Sequence, residues 1–149
     1  MLKNYRLGFD IWSVLLFLAI MIPNFIWFGI PAPNDILRKE SITRTLDAVA
    51  SICQVSFIVL LCVLVNQERK KLRFTPLIIG AFICSLLYIS SWVTYYLGIT
   101  NAVVILGLTI LPCLAFLFFA IDRKNMIAVI PITIFTICHL IYGIVNFII

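Results

Sequence analysis

The sequence has very little charge for its length. Charged residues occupy 11% of the 149 positions, whereas apolar residues occupy 64%, and the mean hydropathy is +1.18. A chain of this size cannot bury so much apolar surface inside a water-soluble globule. The composition therefore excludes a soluble domain and indicates a protein built for lipid.

The apolar segments also lack the alternation of polar and apolar residues that is typical of transmembrane β-strands. The run 57–65 is apolar on every side, and in lipid only a helix satisfies the backbone of such a segment internally. A helix needs about 20 apolar residues to cross a bilayer. We therefore predict a single domain over residues 1–149, an all-α integral membrane bundle of five transmembrane helices, with spans at 9–30, 48–65, 76–97, 102–121 and 126–149.

Motifs for catalysis and metal binding are missing as well. The chain has one histidine, contains neither G-x-S-x-G nor H-E-x-x-H, and places none of its five cysteines in a metal-ligand spacing. An enzyme would need a nucleophile with a base, a carboxylate pair or a metal constellation. We predict a protein that is not an enzyme, with no catalytic residue, no metal site and no cofactor, whose cysteines pack between helices.

Basic residues are concentrated on one predicted side of the membrane. Five spans place the N-terminus and segments 66–75 and 122–125 on the same side, which carries eight of the eleven Lys and Arg residues. The positive-inside rule then places the N-terminus in the cytoplasm and the C-terminus outside, and predicts a multi-pass protein of the cytoplasmic membrane. The cluster Arg69, Lys70, Lys71 and Arg73 is expected to contact anionic lipid headgroups, or alternatively a partner protein, and not nucleic acid.

Two local features at the ends of the spans lead to further predictions. The first loop, 31–46, is long enough to lie over the outer mouth of the bundle, and we expect a short interfacial helix at 35–40 with Asn34 or Asp35 as its N-cap. At the inner interface, Asp10 lies four residues after Arg6. This spacing predicts an ion pair between the two side chains.

Uncommon polar residues fall in the outer halves of four spans. In spans two and five they recur at steps of three or four, which places them on a single helical face. A polar side chain that faces lipid is costly, so these faces are expected to meet across an outward-opening cavity formed by spans one, two, three and five. The predicted ligand-binding residues are His139, Gln54, Ser91, Tyr95, Tyr142, Asn24, Asn146 and Asp47.

Several of these residues also have a purely structural interpretation. Asp47 lies in the first turn of its helix, where the helix dipole stabilises a carboxylate. Tyr95 fits an interfacial aromatic belt, and Gln54 and Asn146 fit hydrogen bonds between helices. His139 would either accept such a bond or carry a proton, because imidazole titrates near neutral pH.

Four segments, 9–12, 21–28, 31–35 and 120–126, together resemble a group of small bacterial multispan proteins with no assigned activity. They read FDIW, MIPNFIWF, PAPND and AIDRKNM. The resemblance covers most of the chain and implies a bacterial cytoplasmic membrane without supplying a mechanism. The architecture also resembles the tryptophan-rich TspO family of translocator proteins, which has five spans and its longest loop after the first. Residues 31–46 do not match that family's first-loop pattern, so no binding residue carries over.

Three functions remain open at this point. The first is binding of a small molecule or lipid in the outward-facing cavity, as a sensor or a permeation pathway. The second is a non-catalytic accessory subunit whose polar faces join helices and whose partner is another membrane protein or a second copy of the chain. The third is a proton-coupled transporter that uses His139.

Overall fold

Five long helices form the body of the protein in the computed structural model, which describes residues 2–69 and 71–149. Each helix is long and apolar enough to cross a membrane. The prediction of an all-helical bundle with five long apolar helices is therefore confirmed, and it fits a multi-pass membrane protein. The helices are α1 (Ile11–Gly29), α2 (Arg44–Val63), α3 (Pro76–Tyr96), α4 (Ala102–Asp122) and α5 (Met126–Phe147).

Four of the five helices begin at a side chain that accepts a hydrogen bond from the first turn. Asp10, Thr75, Asn101 and Asn125 serve α1, α3, α4 and α5 in this way, and such caps satisfy backbone N–H groups that have no partner within the helix. The connections between α3 and α4 and between α4 and α5 are short, so these helices are antiparallel neighbours.

Helix α4 occupies the centre of the bundle. It is the most buried of the five and contacts α3 on one side and α5 on the other, while α2 packs against α5. Helix α1 makes fewer contacts, and these are shared among α2, α3 and α4. A helix that is apolar on every side belongs inside the protein, and α4 carries no charged residue before Asp122.

A small antiparallel sheet joins the N-terminus to the end of α2. Strand β1 (Tyr5–Leu7) pairs with strand β2 (Leu64–Asn66), with Arg6 opposite Val65. The limits of helix α2 differ from those of the predicted span 48–65. The helix includes the polar turn that begins at Arg44, and it ends at Val63 because the next residues extend to pair with β1.

The helix predicted at 35–40 is wrong in extent. The first loop contains only a three-residue 3-10 turn, Ile36–Arg38, and the Asp35 side chain makes no capping bond to it. The physical reason is that the Asp35 carboxylate binds side chains of α1 and α3 instead. Residue 34 holds the loop in place by another route, since the Asn34 amide donates to the carbonyl of Gly98 at 3.1 Å.

Segments 3–10, 64–69, 71–75 and 122–125 meet at one end of the bundle, which we call the basic end. Segments 30–43 and 97–101 meet at the opposite end, which we call the loop end.

At the basic end, Asp10 does not pair with Arg6 as predicted but with two other arginines. One carboxylate oxygen of Asp10 lies 2.7 Å from Arg69 Nη1 and 3.1 Å from Arg123 Nη2. Arg6 lies in β1 and is exposed, so both partners of Asp10 come from segments distant in sequence.

Candidate functional site

A cavity of about 360 Å3 lies within the bundle, and all five helices contribute to its wall. The lining extends from Phe17 to Phe28 on α1 and from Asp47 to Ile58 on α2. These stretches lie nearer the loop end, where α1 finishes and α2 begins. Ligand pockets in proteins typically enclose about 300–1,000 Å3, so the cavity is large enough for a small ligand.

Most of the wall is apolar, and its aromatic rings pack against a further ring behind them. Phe116 of α4 and Phe135 of α5 both line the cavity. Behind them lies Phe57, whose ring centroid is 5.0 Å from that of Phe116 and 5.4 Å from that of Phe135. This packing joins α2, α4 and α5 and gives the cavity a fixed wall.

His139 lies in this wall with its ring held between two others. Its centroid is 5.0 Å from Phe135 and 5.8 Å from Tyr142, and the interplanar angles are 16° and 9°. Stacking uses the faces of the imidazole and leaves its edges, which carry both nitrogens, for other partners. Within the described residues, the His139 side chain makes no hydrogen bond.

Three further polar side chains in the lining retain unused hydrogen-bonding atoms. The amide of Gln54 and the hydroxyl of Tyr142 have no hydrogen-bond partner in the part of the chain that the structure describes. Asp47 accepts one bond, from the Thr43 hydroxyl at 3.0 Å, through only one of its carboxylate oxygens. Together with His139, these groups give the cavity a polar wall whose hydrogen-bonding capacity the protein itself does not fill.

Asn24 reaches the cavity from α1 and is already bonded. Its amide donates to the Tyr88 hydroxyl at 2.7 Å and to the carbonyl of Ile20 at 3.1 Å. Tyr88 is buried and is the single lining residue from α3. This contact joins α1 to α3 beside the cavity. The side-chain carbonyl oxygen of Asn24 accepts no hydrogen bond from a described residue.

Three of the predicted ligand-binding residues lie outside the cavity lining. Ser91 donates to the carbonyl of Leu87 within its own helix. Tyr95 is completely buried in the loop end. Asn146 donates to the Thr43 hydroxyl at 2.8 Å and accepts from the backbone N–H of Ile42 at 2.9 Å, so it joins α5 to the start of α2. The structure therefore brings together His139, Gln54, Tyr142, Asn24 and Asp47, and separates them from Ser91, Tyr95 and Asn146.

Tyr95 belongs instead to a cluster centred on Asp35, which we call the loop clasp: Asp35, Trp27, Arg38 and Tyr95. The carboxylate accepts from Trp27 Nε1 at 2.9 Å, from Arg38 Nε at 2.8 Å and from the Tyr95 hydroxyl at 2.9 Å. The Arg38 guanidinium also lies over the Trp27 ring, 5.0 Å from its centroid. The clasp fastens the first loop to the ends of α1 and α3.

The ionised form of Asp35 is the form that this cluster favours. Burial opposes ionisation, but the hydrogen bonds from Trp27, Tyr95, Arg38 and the Ala32 backbone outweigh it and hold the pKa of Asp35 below its ordinary value of 3.8. A lowered carboxyl pKa contributes stability that is complete above the ordinary value and is lost as the pH falls through the lowered one. The loop clasp is therefore intact at neutral pH.

The predicted headgroup-binding cluster at the basic end is only partly available to a partner. Arg69 is engaged with Asp10, while Lys71 and Arg73 are exposed. Lys70 lies outside the described residues. The basic end thus presents at least two exposed cations beside an ion cluster that is internal to the fold.

Sequence reasoning missed the contribution of α4 to the cavity. Leu108, Pro112 and Phe116 all line it, but a helix that is apolar on every side gives no signal of which face meets a cavity. The proline is the one local hint, because a proline within a helix disturbs the packing of the preceding turn.

No group of three or more His, Cys, Asp or Glu side chains capable of holding a metal ion occurs in residues 2–69 and 71–149, and the five cysteines are all free. Comparison with known proteins adds no family to this description. No protein-family model, no curated protein and no solved structure matches the chain.

Proposed function

We propose that this multi-pass membrane protein binds a small molecule or a lipid in the cavity between α1, α2 and α5, and that it acts without catalysing a reaction. In this proposal the basic end lies in the cytoplasm and the cavity opens in the outer half of a cytoplasmic membrane. The distribution of basic residues supports the orientation, because seven of the ten Lys and Arg residues that the structure describes lie at the basic end.

The observation that carries the proposal is the set of unpartnered polar groups in the cavity. His139, Gln54 and Tyr142 have no hydrogen-bond partner among the described residues, although they lie within an apolar bundle. Polar groups that converge on one cavity without partners in the protein are what a binding site for a partly polar ligand requires.

The same groups distinguish this proposal from an accessory subunit held together by polar contacts between helices. Asn146 and Asn24 do make such contacts, with Thr43 and Tyr88 respectively, and this observation favours the subunit alternative for those two residues. His139 and Gln54 make no such contact within the described part of the chain. A role as contacts between helices would therefore not explain the polar atoms of these two side chains.

The test replaces the unpartnered groups with apolar side chains of similar shape. Gln54→Leu and His139→Phe are expected to lower the amount of co-purifying ligand by about tenfold or more, as measured by native mass spectrometry of protein released gently from its membranes. The empty variants should keep their thermal stability to within about 1 kcal/mol, because no internal hydrogen bond is lost. If both polar groups served as contacts between helices, the same substitutions would instead destabilise the protein.

Ser91→Ala is the matched control for this experiment. Ser91 was also predicted from the sequence to bind ligand, but it lies outside the cavity lining and bonds within α3. The variant should retain the full amount of bound ligand. Equal loss from Ser91→Ala and Gln54→Leu would contradict the assignment of the cavity.

A further inference from the structure

The charge in the cavity is of one sign. Asp47 is the single charged side chain among the described lining residues, although the chain as a whole has nearly twice as many basic as acidic residues. A ligand that enters this cavity therefore meets one carboxylate and no cation. This asymmetry bears on which class of molecule the cavity accepts.

Two cations near the loop end are engaged elsewhere, and the third, Lys39, is exposed and makes no salt bridge to Asp47. Arg44 lies one turn before Asp47 on α2, but its guanidinium contacts Glu40 at 3.2 Å. Arg38 contacts Asp35 at 2.8 Å within the loop clasp. Among the described residues, no salt bridge reaches Asp47. The Thr43 hydroxyl donates to one of its oxygens, and no described donor bonds to the other.

The surroundings of Asp47 suit an organic cation with an apolar body. The cavity wall includes the rings of Phe28 and Tyr142, and the faces of such rings attract cations. The Gln54 carbonyl and the Tyr142 hydroxyl are further acceptors for N–H donors. Charge, aromatic rings and acceptors thus converge from three helices, α1, α2 and α5.

We infer that the ligand of the cavity is a small organic ammonium ion whose cationic group binds Asp47 and whose apolar body lies against the aromatic wall. This inference rests on the proposed function and specifies the chemical class of its ligand. An ammonium group paired with a carboxylate forms charge-assisted hydrogen bonds that are stronger than neutral ones. Binding should therefore depend on the charge of the ligand and on the charge of Asp47.

The experiment compares two probes of nearly equal shape, the 2-phenylethylammonium ion and neutral 2-phenylethanol, by titration calorimetry with the full chain in lipid nanodiscs. The wild-type protein should bind the cation about tenfold or more tightly than the alcohol. Asp47→Asn should abolish that preference and leave the affinity for the alcohol unchanged. The control is Glu40→Gln, which removes an exposed carboxylate of the same end and should preserve the preference.

The possible outcomes separate this inference from the proposed function. Equal affinity of the wild-type protein for both probes, or a preference that survives in Asp47→Asn, would overturn the assignment of an ammonium ligand while leaving the cavity as a binding site. Failure of both probes to bind any variant would count against the cavity itself. A preference for the cation that Glu40→Gln also abolishes would place the effect in the surface charge and contradict the role of Asp47.

Discussion

Asp10→Ala is expected to lower the free energy of unfolding by about 3–5 kcal/mol. The Asp10 carboxylate is 5% exposed and binds Arg69 and Arg123, of which Arg123 is 7% exposed. Removing the anion takes away the carboxylate that is shared by Arg123, which is buried, and Arg69, which is 25% exposed. The substitution also removes the cap of α1, where one Asp10 oxygen accepts from the Trp12 N–H at 3.2 Å.

A second substitution separates these two effects. Asp10→Asn keeps an N-capping side chain but removes the charge. It should therefore be less destabilising than Asp10→Ala, by about 1 kcal/mol. Glu40→Ala is the control, because it breaks an exposed ion pair and should leave stability nearly unchanged. Unfolding would be followed by titration with a denaturing detergent. A loss for Asp10→Ala no greater than that for Glu40→Ala would show that the buried cluster does not hold the basic end together.

Gly143→Ala is expected to destabilise the bundle by about 1–3 kcal/mol through overpacking. A β-carbon at position 143 would lie 2.6 Å from Cγ2 of Thr109, across the contact between α5 and α4. Thr109 is itself buried, and its hydroxyl donates to the carbonyl of Ile105. The methyl group therefore has little room to move, and the two helices would have to separate.

The control for this prediction is another glycine. Gly29 has no atom within 4 Å of the position that a β-carbon would take, so Gly29→Ala should be neutral. Thr109→Ser removes the methyl group that meets the new side chain and should restore part of the stability of Gly143→Ala. Thermal unfolding of the wild-type protein, of Gly143→Ala, of Thr109→Ser and of the variant with both substitutions measures the coupling between positions 143 and 109. Independent effects at positions 143 and 109 would contradict the close packing of α4 on α5.

The helices were predictable from the sequence because their signal is local. Long apolar runs give all five, and polar residues such as Thr75 and Asn101 mark where α3 and α4 begin. The pairing of β1 with β2 was not predictable, because it joins Arg6 to a segment nearly 60 residues away. The partners of Asp10 were missed for the same reason: spacing along the chain suggested Arg6, whereas the fold brings Arg69 and Arg123.

The candidate site was predictable in part. Periodicity placed His139 and Tyr142 on one face of α5, and both line the cavity. The same periodicity included Asn146, but Asn146 lies near the end of α5 and bonds to Thr43 at the start of α2 instead. Periodicity gives the angle of a residue around its helix, but it does not give the depth of the cavity or the rotation of a neighbouring helix. Ser91 and Tyr95 on α3 were therefore assigned to a cavity that receives only Tyr88 from that helix.

Native mass spectrometry of a cavity-filling variant tests most directly whether the cavity holds a ligand. Ala50 lines the cavity, whereas Ala48, two residues earlier on α2, is exposed on the outside of the bundle. We expect wild-type protein and Ala48→Phe to carry the same small adduct of defined mass, and Ala50→Phe to carry none while remaining folded. An adduct that persists in Ala50→Phe, or a wild-type protein released without any bound molecule, would contradict the account.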